Sequence, residues 1–171
     1  MHMTEIGDGE SVLRVLAAVA AGACLGWERE SSHKPAGLRT HMLVTLGAAA
    51  IVVAALKLHN ELTAACDAGG SDVMKAIAGI VGGVGFLGAG SIIRDSTGVR
   101  GLTTAATIWL SAAIGMACGL GYYVLAATCV FIALGTLVLL GLVERHLGTF
   151  GIRKEPEAGE EKSASTSKPL R

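Results

Sequence analysis

Charged and aromatic residues are scarce in this sequence. Only 16% of its 171 residues are Asp, Glu, Lys or Arg and 4% are aromatic, whereas 51% are hydrophobic. A soluble domain carries roughly 25% charged residues because water must solvate its surface, so a soluble globular fold is not expected. The formal net charge is zero, which removes the electrostatic attraction on which nucleic-acid binding depends. We therefore expect no nucleic-acid partner.

Patterns that carry catalysis or bind a fixed metal ion are also missing. The four cysteines show no C-x-x-C spacing, and the five histidines form no ligand pair at helical spacing. No serine, histidine and acid are placed in a way that indicates a hydrolase. We therefore expect a protein that is not an enzyme and has no cofactor.

Long uncharged runs replace the missing charges. The run at 101–143 has no charged residue and is too long for one crossing at about 20 residues a span, but it divides at the turn-forming sequence GLGYY. The predicted fold is an all-α integral membrane protein, a bundle of five transmembrane helices. The helices are expected at about 11–27, 41–58, 74–93, 102–119 and 122–144.

The distribution of Lys and Arg predicts the orientation of the bundle. These residues concentrate between spans one and two, between spans three and four, and after span five, which places those segments in the cytoplasm. Residues 1–10 contain neither Lys nor Arg and form an extracytoplasmic leader. The polar tail at 146–171 is expected to be cytoplasmic and disordered. Arg14, inside the first apolar stretch, is expected to snorkel outward.

The third apolar segment contains the pattern G-x-G-x-x-G at Gly83, Gly85 and Gly88, which is typical of dinucleotide-binding loops. Such a loop needs a strand before it and a hydrated crevice, and this segment is apolar on all sides. Small residues in a membrane helix instead favour close helix packing, and an interrupted helix that binds an ion is the alternative. The glycines assigned to packing are Gly79, Gly82, Gly83, Gly85, Gly88 and Gly90.

Four motifs together resemble one known family. They read GWERE at 26–30, AGLRTHMLVTLGAA at 36–49, GVGFLGAGSI at 83–92 and VRGLTTAATIWLSAAIGMACGLG at 99–121. In order and spacing they strongly resemble the MgtC/SapB family of bacterial inner-membrane proteins, over roughly residues 10–145. The chain looks like the short SapB/YhiD-type form, which lacks the C-terminal ACT-like domain of longer members.

The resemblance implies a role in adaptation to magnesium limitation, acid or intracellular stress, including virulence. Some members of that family act on other membrane complexes such as the ATP synthase, and direct magnesium transport has been both suspected and doubted. We expect a non-enzymatic modulator of membrane complexes. The alternative is a transporter or channel for Mg²⁺ or another small ion, with the glycine-rich third helix lining the path. The sequence does not decide between a monomer and a homo-oligomer, because G-x-x-x-G faces often mediate dimers.

Polar residues gather at the predicted cytoplasmic ends of the helices. The functional cluster that the motifs cover is Glu28, Arg29, Arg39, Thr40, Arg100, Thr103 and Thr104. Its members are also explained as interfacial anchors and helix caps, with Thr103 as the N-cap of the fourth helix. Salt bridges are expected from Glu28 or Glu30 to Arg39 or Arg100. Glu28 and Asp95 are weak candidates for Mg²⁺, which prefers carboxylate oxygens and retained waters.

Overall fold

A computed structural model describes residues 6–65, 71–96 and 98–147, and almost all of them are helical. The helices are α1 (Asp8–Ser31), α2 (Leu38–Ala65), α3 (Ser71–Gly90), α4 (Leu102–Gly119) and α5 (Tyr123–Leu147). Five of the described helices are long and apolar enough to cross a membrane. The predicted number of spans is therefore confirmed.

The ends of the helices differ from the prediction except at α4, which begins at Leu102 and ends at Gly119 as expected. Helices α1 and α2 continue beyond the apolar segment at both ends, where polar residues are part of the helix. Helix α3 is continuous from Ser71 to Gly90. The interrupted third helix, weighed above as an alternative, is therefore wrong.

A short hairpin joins α3 to α4 and is the exception to the predicted all-α fold. Strands β1 (Ile93–Asp95) and β2 (Gly98–Arg100) pair antiparallel. Gly101 follows with a φ of 87° and is the N-cap of α4, and a Cβ at this position would collide with the carbonyl of Ser91. The predicted N-cap at Thr103 is wrong, because the N-cap is Gly101, two residues earlier, and Thr103 already lies inside the helix.

Helices α1, α2 and α4 form the closely packed centre of the fold. Gly22 lies against the carbonyl of His41, and Gly115 lies against Thr45, where a Cβ would be 2.8 Å from Thr45 Cα. Gly119 lies against Ala49. Gly115 thus meets Thr45, and Gly119, one turn later on α4, meets Ala49, one turn later on α2. Helices α2 and α4 therefore run parallel. Helix α1 runs antiparallel to both.

Helices α3 and α5 lie around this centre and make looser contacts. Ile80 and Val84 of α3 join an apolar cluster with Val52 of α2 and Ile108 of α4. The buried residues of α5 that join the other cluster, with α1 and α4, are Ala126, Val130 and Ala133. Each outer helix buries one narrow face and leaves large apolar side chains such as Phe86 and Phe131 exposed. These exposed faces are suited to lipid.

The chain divides into two units between Leu137 and Val138. The first unit contains α1 to α4, the hairpin and most of α5. The described part of the second unit, 138–147, is the end of α5 and is helical. Residues 1–5 of the predicted leader at 1–10 and residues 148–171 of the predicted tail at 146–171 lie outside the described residues, while α1 begins at Asp8 and α5 reaches Leu147.

Candidate functional site

One end of the bundle collects the predicted polar cluster, and we call it the hairpin end. The last turn of α1, the first turn of α2, the β-hairpin and the first turn of α4 meet there, because α4 is parallel to α2 and antiparallel to α1. The predicted members do not form one group. Glu28, Arg29 and Thr104 face the interior, whereas Arg39, Arg100 and Thr103 are exposed and Thr40 is half-buried.

Glu28 and Arg29 form the ordered part of this cluster. Arg29, which is 4% exposed, donates from Nε to Glu28 Oε2 over 2.7 Å. Ser32 donates its hydroxyl to the other carboxylate oxygen of Glu28 at 3.0 Å. A buried guanidinium requires such a partner, because an unpaired charge at this depth is costly. The pair therefore neutralises the only basic side chain that the last turn of α1 buries.

The predicted salt bridges from Glu28 or Glu30 to Arg39 or Arg100 are wrong. Glu28 is held by its chain neighbour Arg29, and Glu30 accepts a 2.7 Å hydrogen bond from the backbone N–H of Leu38. Leu38 is the first residue of α2, so Glu30 caps a helix whose first N–H groups lack intrahelical partners. The loop between α1 and α2 folds back far enough to bring the two together, and sequence spacing does not reveal that.

The two weak candidates for Mg²⁺ have different partners. Asp95 lies on the hairpin, 3.9 Å from Arg100 Nε, while Glu28 is engaged by Arg29. Within the described ranges, no three side chains of His, Cys, Asp or Glu come together as a metal-binding group. A fixed Mg²⁺ site at these two carboxylates finds no support in the geometry.

A second set of polar residues is buried along the contact between α2 and α4, and we call it the polar seam. The polar seam consists of His41, Thr45, Thr104, Thr107 and Ser111. Of these, only Thr104 was placed in the predicted cluster. The signal was present in the sequence, because the members recur at intervals of three, four and seven residues on otherwise apolar helices.

The polar seam does not cross the bundle. Beyond Thr45 and Ser111 the α2–α4 contact becomes apolar, with Val52 and Ile114 no more than 1% exposed. At the far end Arg14, 9% exposed, donates from Nη1 to the carbonyl of Gly119 at 2.8 Å and also pairs with Glu10. Arg14 thus points toward the end of α1 as expected, but it is buried and caps α4 instead of reaching water.

A groove between α2 and α3 opens on the outer surface of the bundle. Its volume is about 610 Å³ and its walls are almost entirely apolar. Three glycines, Gly47, Gly79 and Gly83, line it, and a Cβ at any of them would have no neighbour within 4 Å. The groove therefore presents backbone that a further apolar chain can approach closely.

Among the described residues, the close helix contact predicted for the glycines of α3 is made by one of them, Gly88. A Cβ at Gly88 would lie 3.6 Å from the carbonyl of Ala105 on α4. The other predicted packing positions have no atom within 4 Å of a Cβ: Gly79, Gly82, Gly83, Gly85 and Gly90. The glycines that bring helices together are instead Gly22, Gly26, Gly115 and Gly119. These also form two G-x-x-x-G patterns, GACLG and GMACG, which sequence reasoning passed over.

Comparison with known proteins gives one consistent result. The sequence model described as "MgtC family" matches residues 15–146. Protein MgtC of Salmonella typhimurium strain LT2 is 40% identical over 146 residues, covering 85% of this chain and 59% of that protein. Protein MgtC of Brucella abortus strain 2308 is 43% identical over 123 residues, covering 71% and 48%. This chain therefore spans about half to three-fifths of the length of these relatives. No solved structure matches significantly.

Proposed function

This chain belongs to the MgtC family, and from that premise we propose that it is a non-enzymatic membrane protein that modulates other membrane complexes. In this proposal it acts during adaptation to magnesium limitation, acid or intracellular stress, as the family resemblance implies. The N-terminus lies outside and the C-terminus in the cytoplasm of a bacterial inner membrane, in keeping with the excess of Lys and Arg at the hairpin end.

The groove between α2 and α3 is the observation that supports a modulator. Without a hydrophobic driving force in lipid, helices associate where small residues let their backbones approach. Gly47, Gly79 and Gly83 provide such a surface, and no described residue of this chain occupies it. A transmembrane helix of a partner complex, for which the ATP synthase is the candidate that the family suggests, fits these apolar walls.

Filling the groove tests this proposal. Gly83→Leu places a side chain in open space, so the bundle should fold with unchanged thermal stability. We expect the variant to lose support of growth in magnesium-limited medium and to lose co-purification with the partner complex. Gly135→Leu is the matched control, because Gly135 on α5 also has nothing within 4 Å and does not line the groove. Full activity of Gly83→Leu would contradict the proposal.

The polar seam favours the second candidate, a transporter or channel for Mg²⁺ or another small ion. It brings hydroxyls and one imidazole into the interior, as a path for polar solutes requires. The apolar stretch of the α2–α4 contact beyond Thr45 and Ser111 interrupts it, and for this reason we rank transport second. Purified protein in liposomes decides between the two, because a transporter gives magnesium flux that Ser111→Val reduces, whereas a modulator gives none.

A further inference from the structure

His41 is a fully buried imidazole in the first turn of α2, and its two ring nitrogens have different surroundings. Nδ1 lies 2.9 Å from the carbonyl oxygen of Gly37. A carbonyl only accepts hydrogen bonds, so Nδ1 carries a proton and, in the neutral ring, Nε2 is an acceptor. Nε2 has no hydrogen-bond partner among the described residues.

None of the four hydroxyls of the polar seam donates to Nε2, and three of them donate to backbone carbonyls instead. Thr45 directs its hydroxyl to the carbonyl of His41 at 3.0 Å. Ser111 donates to the carbonyl of Thr107 at 2.8 Å, and Thr107 donates to that of Thr104 at 2.9 Å. Each hydroxyl has a single proton, so all three protons are committed to backbone oxygens. The oxygen of each hydroxyl nevertheless retains capacity to accept.

The charged groups that act electrostatically on His41 are paired with each other. Arg29 and Glu28 on α1 lie within electrostatic range of His41, but the Arg29 guanidinium is directed at the Glu28 carboxylate. The seam residues that α4 contributes are Thr104, Thr107 and Ser111, none of which is charged. No described side chain of α1, α2 or α4 donates to Nε2.

Helix register places Ser111 at the level of His41. Thr45 meets Gly115 across the α2–α4 contact, and both lie four residues after His41 and Ser111 in parallel helices. One helical turn earlier, His41 and Ser111 consequently stand opposite each other, and both are 0% exposed. At this level an acceptor nitrogen on α2 and an acceptor oxygen on α4 are therefore both buried.

We propose that a water molecule bridges His41 and Ser111, donating one hydrogen bond to Nε2 and the other to the Ser111 Oγ. Buried polar atoms that lack a protein partner usually bind an ordered water molecule, which itself makes two to four hydrogen bonds. Nε2 and the Ser111 Oγ would provide two acceptors for such a water, the smallest number in that range. The site is a water-binding position in the interior of a membrane bundle, and it does not depend on either proposed function.

Nuclear magnetic resonance of protein carrying ¹⁵N-labelled histidine tests the bridge directly, with His41→Asn used for assignment. We expect a protonated Nδ1, an unprotonated Nε2 and a magnetisation-transfer cross-peak between the His41 ring and a long-lived water. Ser111→Ala should lose this cross-peak. Thr136→Ala should keep it, because Thr136 on α5 makes the same kind of hydroxyl bond to a carbonyl four residues earlier on an exposed face.

The proposal is overturned if Nε2 carries the proton, if the wild-type protein shows no water contact at His41, or if Ser111→Ala retains the cross-peak. The protonated nitrogen and the water contact are both measured in the wild-type protein, so the proposal can be tested even if Ser111→Ala does not fold.

Discussion

The contact between α2 and α4 and the outer face of α3 carry the same sequence pattern with opposite outcomes. GMACG on α4 brings Gly115 and Gly119 against the backbone of α2. GIVGG on α3 contains Gly79 and Gly83 at the same spacing, yet both face open space beside a groove. The pattern G-x-x-x-G therefore indicates a surface suitable for close approach, while the neighbouring helix determines whether that surface is used within the chain.

The largest expected effect on the free energy of unfolding is that of Gly115→Ala, in the packed contact between α2 and α4. Gly115→Ala adds a Cβ 2.8 Å from Thr45 Cα and 3.0 Å from Ala48 Cβ, so α2 and α4 must separate. We expect a loss of about 1–3 kcal/mol in the free energy of unfolding, as for other overpacked cores. Denaturation in detergent, followed by circular dichroism, measures it.

Gly82→Ala on α3 is the control for that comparison. A Cβ at Gly82 meets nothing within 4 Å, and alanine is the better helix former, so the free energy of unfolding should stay constant or rise by up to about 1 kcal/mol. Equal destabilisation by the two substitutions would remove the distinction between the central and outer helices.

Arg14 gives the next largest effect. Arg14→Met removes the charged donor that caps the Gly119 carbonyl, and we expect unfolding to become easier by about 1–3 kcal/mol. Lys57→Met is the matched control, because Lys57 pairs with the fully exposed Asp8 and such surface pairs contribute little. Thermal unfolding of both variants in one detergent tests this order, and a greater loss with Lys57→Met would contradict it.

A smaller effect is expected at the start of α2. Glu30→Ala removes the carboxylate that accepts from the Leu38 N–H, and should cost about 0.5–1 kcal/mol, as for other helix caps. Glu61→Ala removes an exposed acid from the other end of the same helix and should cost less. Backbone hydrogen exchange at Leu38 provides a local readout, since protection there should fall only in Glu30→Ala.

The smallest effect is expected at Thr103, the predicted N-cap. Because Gly101 caps α4 and Thr103 is exposed, Thr103→Ala should change the free energy of unfolding by less than about 0.5 kcal/mol. A loss near 1 kcal/mol or more would restore Thr103 as a cap. Gly101→Ala is the sensitive comparison, since it forces a side chain into a left-handed conformation against Ser91.

The apolar helices were predicted from the sequence more accurately than the partners of the polar side chains. The five spans follow from local hydropathy. The bounds of α4 were predicted to the residue because the last charge before it, Arg100, is followed by Gly101, and the turn-forming sequence GLGYY divides the uncharged run at its other end. The partners of Glu28 and Glu30 were not predicted, because they depend on how the loop between α1 and α2 folds back. The residues of the polar seam have helical spacing in the sequence. The sequence around each of them does not show whether they share one buried contact or each bond separately to their own helix.

The sequence by itself determined that this protein has five helices long and apolar enough to cross a membrane and that it belongs to the MgtC family, because hydropathy and motif order are properties of the chain alone. Only the tertiary structure decided that Gly115 is packed and Gly83 is open, and that His41 and Ser111 stand at one level. Those facts depend on the rotation and register of one helix against another. Close packing fixes that rotation and register across the whole bundle, so no single segment of the sequence contains them.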